Sequence, residues 1–213
     1  MLDDGENKIL FDPFLNGNPL AEAKPEEIKC DYILLSHGHD DHLGDAPEIA
    51  AANNATIIGV PEVLAVCQQR QPECKVHGMN IGGSLNLPFA KIRMTLALHS
   101  CGVPGGIACG YVVQMGGFTT YFAGDTALFG DMKLIGHKDA IDYAILPIGD
   151  NYTMGREDAA MAAQWLNARH VIPVHYDTWP VIAQDVAGYK YLTETMSRAL
   201  VHVLKPGETM EYV

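Results

Sequence analysis

The chain reads as an α/β layered domain in which sheets are faced by helices, and two observations predict it. Short continuous apolar runs at 31–35, 56–60, 143–146 and 171–174 are bounded by turn residues, the pattern of strands buried on both faces. Helix-forming stretches alternate in part with these runs, and an antiparallel block of closely spaced strands lies in the middle of the chain. At 213 residues, with 48% hydrophobic and 19% charged content, the chain is long enough for one substantial core. No linker rich in Pro, Gly or Ser interrupts it, so a single domain over 1–213 is expected.

A strand over 7–11 ends at Asp12-Pro13, and residues 16–29 are polar and turn-rich. The strand at 31–35 runs directly into a histidine cluster. Residues 47–53 form a helix, with Asp45 as its N-cap and Pro47 in its first turn. After the strand at 56–60, Pro61 starts a helix that reaches about residue 69. Residues 75–88 are loop and weak strand, turning at Gly82-Gly83. Strands at 91–98, 110–115 and 118–122 follow, the last two joined as a hairpin at Gly116-Gly117. The strand at 143–146 precedes a helix over 156–168, whose Ala160, Ala163, Trp165 and Leu166 supply apolar surface. A strand at 171–174, a helix over roughly 187–200, and strands at 201–204 and 210–213 complete the order.

One internal echo is present. Asp31-Tyr32-Ile33-Leu34-Leu35-Ser36-His37-Gly38 aligns with Asp142-Tyr143-Ala144-Ile145-Leu146-Pro147-Ile148-Gly149, and the match continues to Gly44 and Gly155. Each copy is a buried strand leading to a glycine loop and a helix. The domain is therefore read as two similar halves that offer their strand ends to one shared cleft.

The chemistry concentrates in Ser36-His37-Gly38-His39-Asp40-Asp41-His42. Imidazoles this close repel one another when protonated. A divalent metal removes that conflict, because it takes neutral imidazole and ionised carboxylate as ligands. His37 and His39 can converge from an extended turn, whereas Asp41 and His42 are adjacent and diverge, so each pair suits a different metal. Further ligands are expected immediately after buried strands, where open α/β folds place their sites. His99, Asp125 and His175 hold such positions, and Gly124 permits a sharp approach of the backbone before Asp125. His77, His137, His170 and His202 are read as solvated or structural, with His170 at the opposite sheet edge from His175.

The formal charge of −12 argues against a nucleic-acid partner, since phosphate backbones attract Lys and Arg. Small anionic substrates stay compatible, because local metal charge can outweigh the global sign. No apolar stretch approaches bilayer length, so no membrane partner is expected. The acidic start Met1-Leu2-Asp3-Asp4-Gly5-Glu6 lacks the regions of a secretory signal, and a cytoplasmic location is expected. Cys30, Cys67, Cys74, Cys101 and Cys109 are odd in number and form no CxxC pair, which indicates neither a disulfide framework nor a zinc ribbon. Cys101 stands out as the cysteine nearest a candidate ligand, His99.

In order and spacing, His37-Gly38-His39-Asp40-Asp41-His42, His99, Gly124-Asp125-Thr126 and His175 resemble the metallo-β-lactamase superfamily. Phe11-Asp12-Pro13-Phe14, Pro147-Ile148-Gly149 with Thr153-Met154, and Val174-His175-Tyr176 make the chain similar to its small cytoplasmic metal-dependent hydrolases, relatives of the ascorbate-phosphate lactonases. The resemblance covers essentially the whole chain. It implies an αββα sandwich of two mixed β-sheets flanked by helices, with a dinuclear site between the sheets. It also implies His37, His39 and His99 on the first metal, Asp41, His42 and His175 on the second, and Asp125 bridging both. Asp12 matches the family's first acidic motif, which buttresses the ligand loop. Relatives begin with a further strand carrying a Gly-His pair, so here the edge of the first sheet is expected to be unpaired.

Two divalent ions sharing a water would acidify it to hydroxide near neutral pH. The expected reaction is hydrolysis of an ester, lactone or phosphoester in a small polar metabolite. Asp41 would orient the hydroxide or pass a proton to the leaving group. A donor set of imidazole and carboxylate admits zinc first, then manganese, iron or nickel. Residues 151–154 and Tyr176, Asp177 and Trp179 are expected to line the cleft. Weighed against this are a non-catalytic metal-binding or scaffold protein, which loss of a ligand would favour, and a phosphodiesterase acting on nucleotides. A flavodi-iron reductase would carry Glu at position 39, and a secreted lactamase would carry a signal peptide. Association into a homo-oligomer stays open.

Overall fold

Two sheets carry the chain in the computed structural model, which describes residues 1–213. The first is built from β1 (Leu2–Asp3), β2 (Lys8–Phe11), β3 (Tyr32–Leu34), β4 (Thr56–Gly59) and β5 (Lys75–Gly78), paired in that order. The second comprises β6 (Ser84–Asn86), β7 (Ala90–Leu96), β8 (Cys109–Met115), β9 (Phe118–Phe122), β10 (Tyr143–Pro147), β11 (His170–Val174) and β12 (Leu200–Val201). Its strand order is β12-β11-β10-β9-β8-β7-β6. Both sheets are mixed: β2 to β5 and β9 to β12 run parallel, while β1–β2 and β6 to β9 are antiparallel. The helices are α1 (Asp40–Leu43), α2 (Ala46–Asn53), α3 (Pro61–Arg70), α4 (Met132–Asp139), α5 (Arg156–Leu166) and α6 (Val186–Ser197).

Side-chain alternation along the strands fixes the layering. On β8, Cys109, Tyr111, Val113 and Met115 join one apolar cluster with Ile33, Ile57 and Ile58 of the first sheet and Ile49 and Val63 of α2 and α3. Val112, between them, points the other way and packs with Met132, Ala159, Leu166 and Tyr189 of α4, α5 and α6. Period two thus sends alternate residues to the facing sheet and to the helices. The result is the expected αββα sandwich. Complete burial of Ile33, Ile57 and Ile58 is worth roughly 1.5–3 kcal/mol each.

The echo between the halves extends into the hydrogen bonding. Tyr32 is in register with Ile9 and Thr56, and Tyr143 with Thr120 and His170. The Asp31 carboxylate accepts from Lys8 N at 2.8 Å, as the Asp142 carboxylate accepts from Thr119 N at 2.9 Å. Phe11 and Phe122, which end the matched strands β2 and β9, pack ring to ring at 4.6 Å.

Several boundaries differ from the expectation. Leu2 and Asp3 pair antiparallel with Ile9 and Lys8, so a two-residue strand covers part of an edge expected to be bare. Residues 210–213 form no strand. Tyr212 instead stacks on Tyr143 at 3.8 Å and Val213 N donates to the Tyr143 hydroxyl at 2.8 Å, so aromatic packing replaces a sheet ladder. The neighbouring strand is confined to Leu200–Val201. Helix α4 was not expected, because its half-polar sequence buries only Met132, Ile135 and Gly136. Asp45 holds the N-cap position of α2 without capping it; its carboxylate turns back to Leu15 N and Asn16 N at 2.8 and 2.9 Å.

Asp142→Ala removes the acceptor for Thr119 N and for Arg169, and should lower stability by about 1–2 kcal/mol, measured as a fall in the urea midpoint.

Candidate metal centre

The loops that follow β3, β7, β9 and β11 meet over one side of the sandwich. Ser36 and His37 continue β3, His39 occupies the N-cap of α1, and Asp41 and His42 lie on its single turn. Gly38 N donates to Cys101 O at 2.8 Å, which ties this loop to the one carrying His99. Gly124 lies at φ +60°, and a Cβ there would come within 2.7 Å of Ser36 Cβ and 2.9 Å of Cys109 O. Glycine is therefore required for Asp125 to approach the cluster. His175 follows β11 at φ +56°, and Asp12 follows β2 at φ +37°. Left-handed backbone at such non-glycine residues is costly and concentrates at functional sites.

All of the expected ligands converge. Donor atoms of His37, His39 and His99 lie within 4.8 Å of one another, and so do those of Asp41, His42 and His175. His37 Nε2 is 2.8 Å from His39 Nδ1. Asp125 Oδ2 lies 3.3 Å from His42 Nε2, 3.6 Å from His99 Nε2 and 3.2 Å from His175 Nε2. Asp41 Oδ2 lies 3.5 Å from both His42 Nε2 and His175 Nε2. The adjacent Asp41 and His42 were expected to diverge. Their donor atoms instead meet, because the His42 ring is turned by its other nitrogen, which reaches Asp12 Oδ2 at 2.7 Å.

Asp12 also accepts from Ser36 N at 2.8 Å and from the Ser36 hydroxyl, and that hydroxyl lies 2.9 Å from His37 Nδ1. One buried carboxylate thus orients His42 directly and His37 through Ser36. Such outer partners set the tautomer and direction of a ligating ring. The chain's sequence shows the serine, but nothing in its spacing shows this relay.

Protonation follows the surroundings. Burial, reinforced by neighbouring His42, lowers His37 to about 2, and burial also lowers His99. Both are neutral imidazoles, the form a metal takes. Burial pushes His42 down, but its hydrogen bond to Asp12 and the nearby Asp125 carboxylate outweigh this and raise it well above the ordinary value. Burial would raise Asp41 and Asp125, yet His175 and His42 respectively hold each below the usual carboxylate range.

This donor set fits a divalent cation. His42 Nε2 and His175 Nε2 are buried without an aligned hydrogen-bond partner, although carboxylate oxygens stand 3.2–3.5 Å away. Donors held about 2.0–2.1 Å from one tetrahedral zinc sit roughly 3.3–3.4 Å apart. Orphaned atoms at that spacing are satisfied by a shared cation. The cluster can bind metal.

A cleft of about 680 Å³ opens onto the cluster, walled by Phe14, His39, Asp40, Asp41, His99, Ser100, Asp125, Tyr152, His175, Trp179 and Val181. Trp179 and Tyr152 line it as expected. Tyr176 packs against the helix-side core instead, and Asp177 accepts from Gln184 N at 2.8 Å. Sequence reasoning missed Ser100, whose hydroxyl is 3.3 Å from His39 Nε2. Cys101 is buried away from the wall and serves through its backbone carbonyl. His170 and His202 pair with each other at 2.9 Å, apart from the cluster, while His77 and His137 are exposed.

An αββα sandwich with a histidine–aspartate cluster at one side defines a metallo-hydrolase of the β-lactamase type. The chain belongs to the beta-lactamase superfamily, whose domain model matches residues 7–176. It is similar to the UPF0173 metal-dependent hydrolase of Pelotomaculum thermopropionicum, at 49% identity over 99% of this chain and 95% of that protein. It is 46% identical to the UPF0173 metal-dependent hydrolase YtkL of Bacillus subtilis, over 97% and 92% of the two chains. Igni18, a metallo hydrolase from Ignicoccus hospitalis, superposes with a TM-score of 0.88 at 36% identity, covering 96% of this chain and 91% of its own. The protein is a metal-dependent hydrolase.

Asp12→Asn should weaken metal affinity by about 10–100-fold, measured by competition with a chromogenic chelator, and Ser36→Ala should weaken it less, because His42 keeps its carboxylate.

Proposed function

We propose that the protein holds two divalent ions and hydrolyses an ester, lactone or phosphoester of a small polar metabolite. His37, His39 and His99 hold one ion, Asp41, His42 and His175 hold the other, and Asp125 serves both. The observation that carries this reading is the position of Asp125 Oδ2, within 3.2–3.6 Å of a histidine from each group. Zinc is the first expectation, with manganese, iron or nickel compatible with the same donors. Such ions supply Lewis acidity, lowering the pKa of water and polarising the scissile carbonyl or phosphoryl oxygen.

The chain's own groups divide the remaining work. Asp125 has a side chain 5% exposed, whereas that of Asp41 is 28% exposed and faces the cleft. Asp41 is therefore the carboxylate placed to orient the attacking hydroxide or to pass a proton to the leaving oxygen. Its lowered pKa, set by His175 and His42 against the effect of burial, keeps it ionised at neutral pH. The small cleft and the net charge of −12 favour a small-molecule substrate over nucleic acid. Five free, buried cysteines suit the reducing cytoplasm.

The test is elemental analysis of freshly purified protein, followed by a screen of carboxylic esters, lactones and phosphodiesters. Two equivalents of metal and turnover that chelation removes are expected. Asp41→Asn should lower kcat at least 100-fold, and His37→Ala should abolish turnover and lose metal. A metal-loaded protein that turns over none of these classes would overturn the reading.

A further inference from the structure

We infer that the cleft selects substrates bearing no anionic group besides the scissile one, with an uncharged apolar or planar moiety seated on its aromatic rim; this rests on the hydrolase reading above. The rim is built from Phe14, Tyr152, Trp179 and Val181. The Phe14 and Trp179 rings lie 6.0 Å apart at 36°, forming one tilted wall. Tyr152 and Val181 are 57% and 52% exposed, so two large apolar surfaces face solvent at the mouth of a polar site. Phe14 also walls the adjoining recess beneath, with Phe11 and Phe122. Surfaces of this kind gain by being covered with an apolar or flat group.

Apart from His42 of the recess, the charged groups of the wall are carboxylates. Asp40, Asp41 and Asp125 line the cleft, Asp12 lines the recess, and no lysine or arginine stands among the residues of either. Asp41, Asp125 and Asp12 balance cations and His42, whereas Asp40 is exposed at the mouth and enters no ion pair. Recognition of a phosphate or carboxylate remote from the reacting bond uses a fixed Arg fork or Lys charge. Here such an anion would meet Asp40 and the aromatic rim instead. The wall therefore discriminates by repulsion as well as by contact. The arrangement favours neutral esters and lactones over phosphorylated metabolites, and narrows the substrate range proposed above.

The test compares p-nitrophenyl hexanoate with mono-p-nitrophenyl adipate, esters that differ by a terminal carboxylate too distant to close a five-membered anhydride, on the zinc-loaded protein and with spontaneous hydrolysis subtracted. The neutral ester should show kcat/KM at least tenfold higher. Val181→Lys, which puts a cation at the exposed rim, should shift that ratio at least tenfold toward the adipate. Equal rates, or a preference for the adipate in the unmodified protein, would overturn the inference. Binding is read separately, in a Trp165→Phe background, from quenching of Trp179 fluorescence by the corresponding p-nitroanilides. If neither ester is turned over but the neutral anilide binds at least tenfold more tightly, the hydrolase reading fails and the cleft's selectivity stands. Equal binding, tighter binding of the anion, or binding of neither overturns it.

Discussion

A single buried carboxylate, Asp12, holds the arrangement on which the rest depends. It sits at the end of β2, accepts from the Ser36 backbone and hydroxyl, and fixes His42 through Nδ1. Through Ser36 it reaches His37 as well. Histidines and aspartates packed this closely away from water would be strongly unfavourable if each chose its own orientation. Asp12 resolves the conflict for two of the rings, setting which nitrogen of His42 and, through Ser36, of His37 points inward. The strained backbone at Asp12 itself marks the cost of that position.

The fold supplies the point of convergence. Two similar halves, each with parallel strands ending in loops that carry the clustered histidines and aspartates, pack face to face through Tyr111, Val113 and the Phe11–Phe122 contact. His37, His39, Asp41 and His42 come from the first half, and His99, Asp125 and His175 from the second. The cluster is completed only when the sheets dock, so packing of the core and assembly of the site are one event. Close approach at Gly124 and the tie between Gly38 and Cys101 transmit that docking to the loops of the cluster. The cleft above is then walled by residues from several loops.

Much of this was legible from the chain alone. Buried strands announce themselves by continuous apolar runs, and the matched segments from Asp31 and Asp142 share register as well as sequence. Helix α4 was not legible, because a helix that buries one narrow stripe beneath α5 has a weak periodic pattern. The chain end misled in the opposite direction: Met210 to Val213 is apolar enough for a strand, but Tyr212 finds a better partner in the face of Tyr143. Tyr176 and Asp177, adjacent to His175 of the cluster, turn away from the cleft, since the left-handed residues His175 and Asp177 redirect the chain there.

By itself, the sequence determined the layered α/β class, the superfamily and the identity of the clustered donors, because these depend on local pattern and on residue chemistry at strand ends. Tertiary structure alone decided how Asp41 and His42 converge, how Ser36 relays Asp12 to His37, and which side chains wall the cleft. Those features join residues from separate loops, often tens of positions apart. Their geometry exists only once the two sheets have packed.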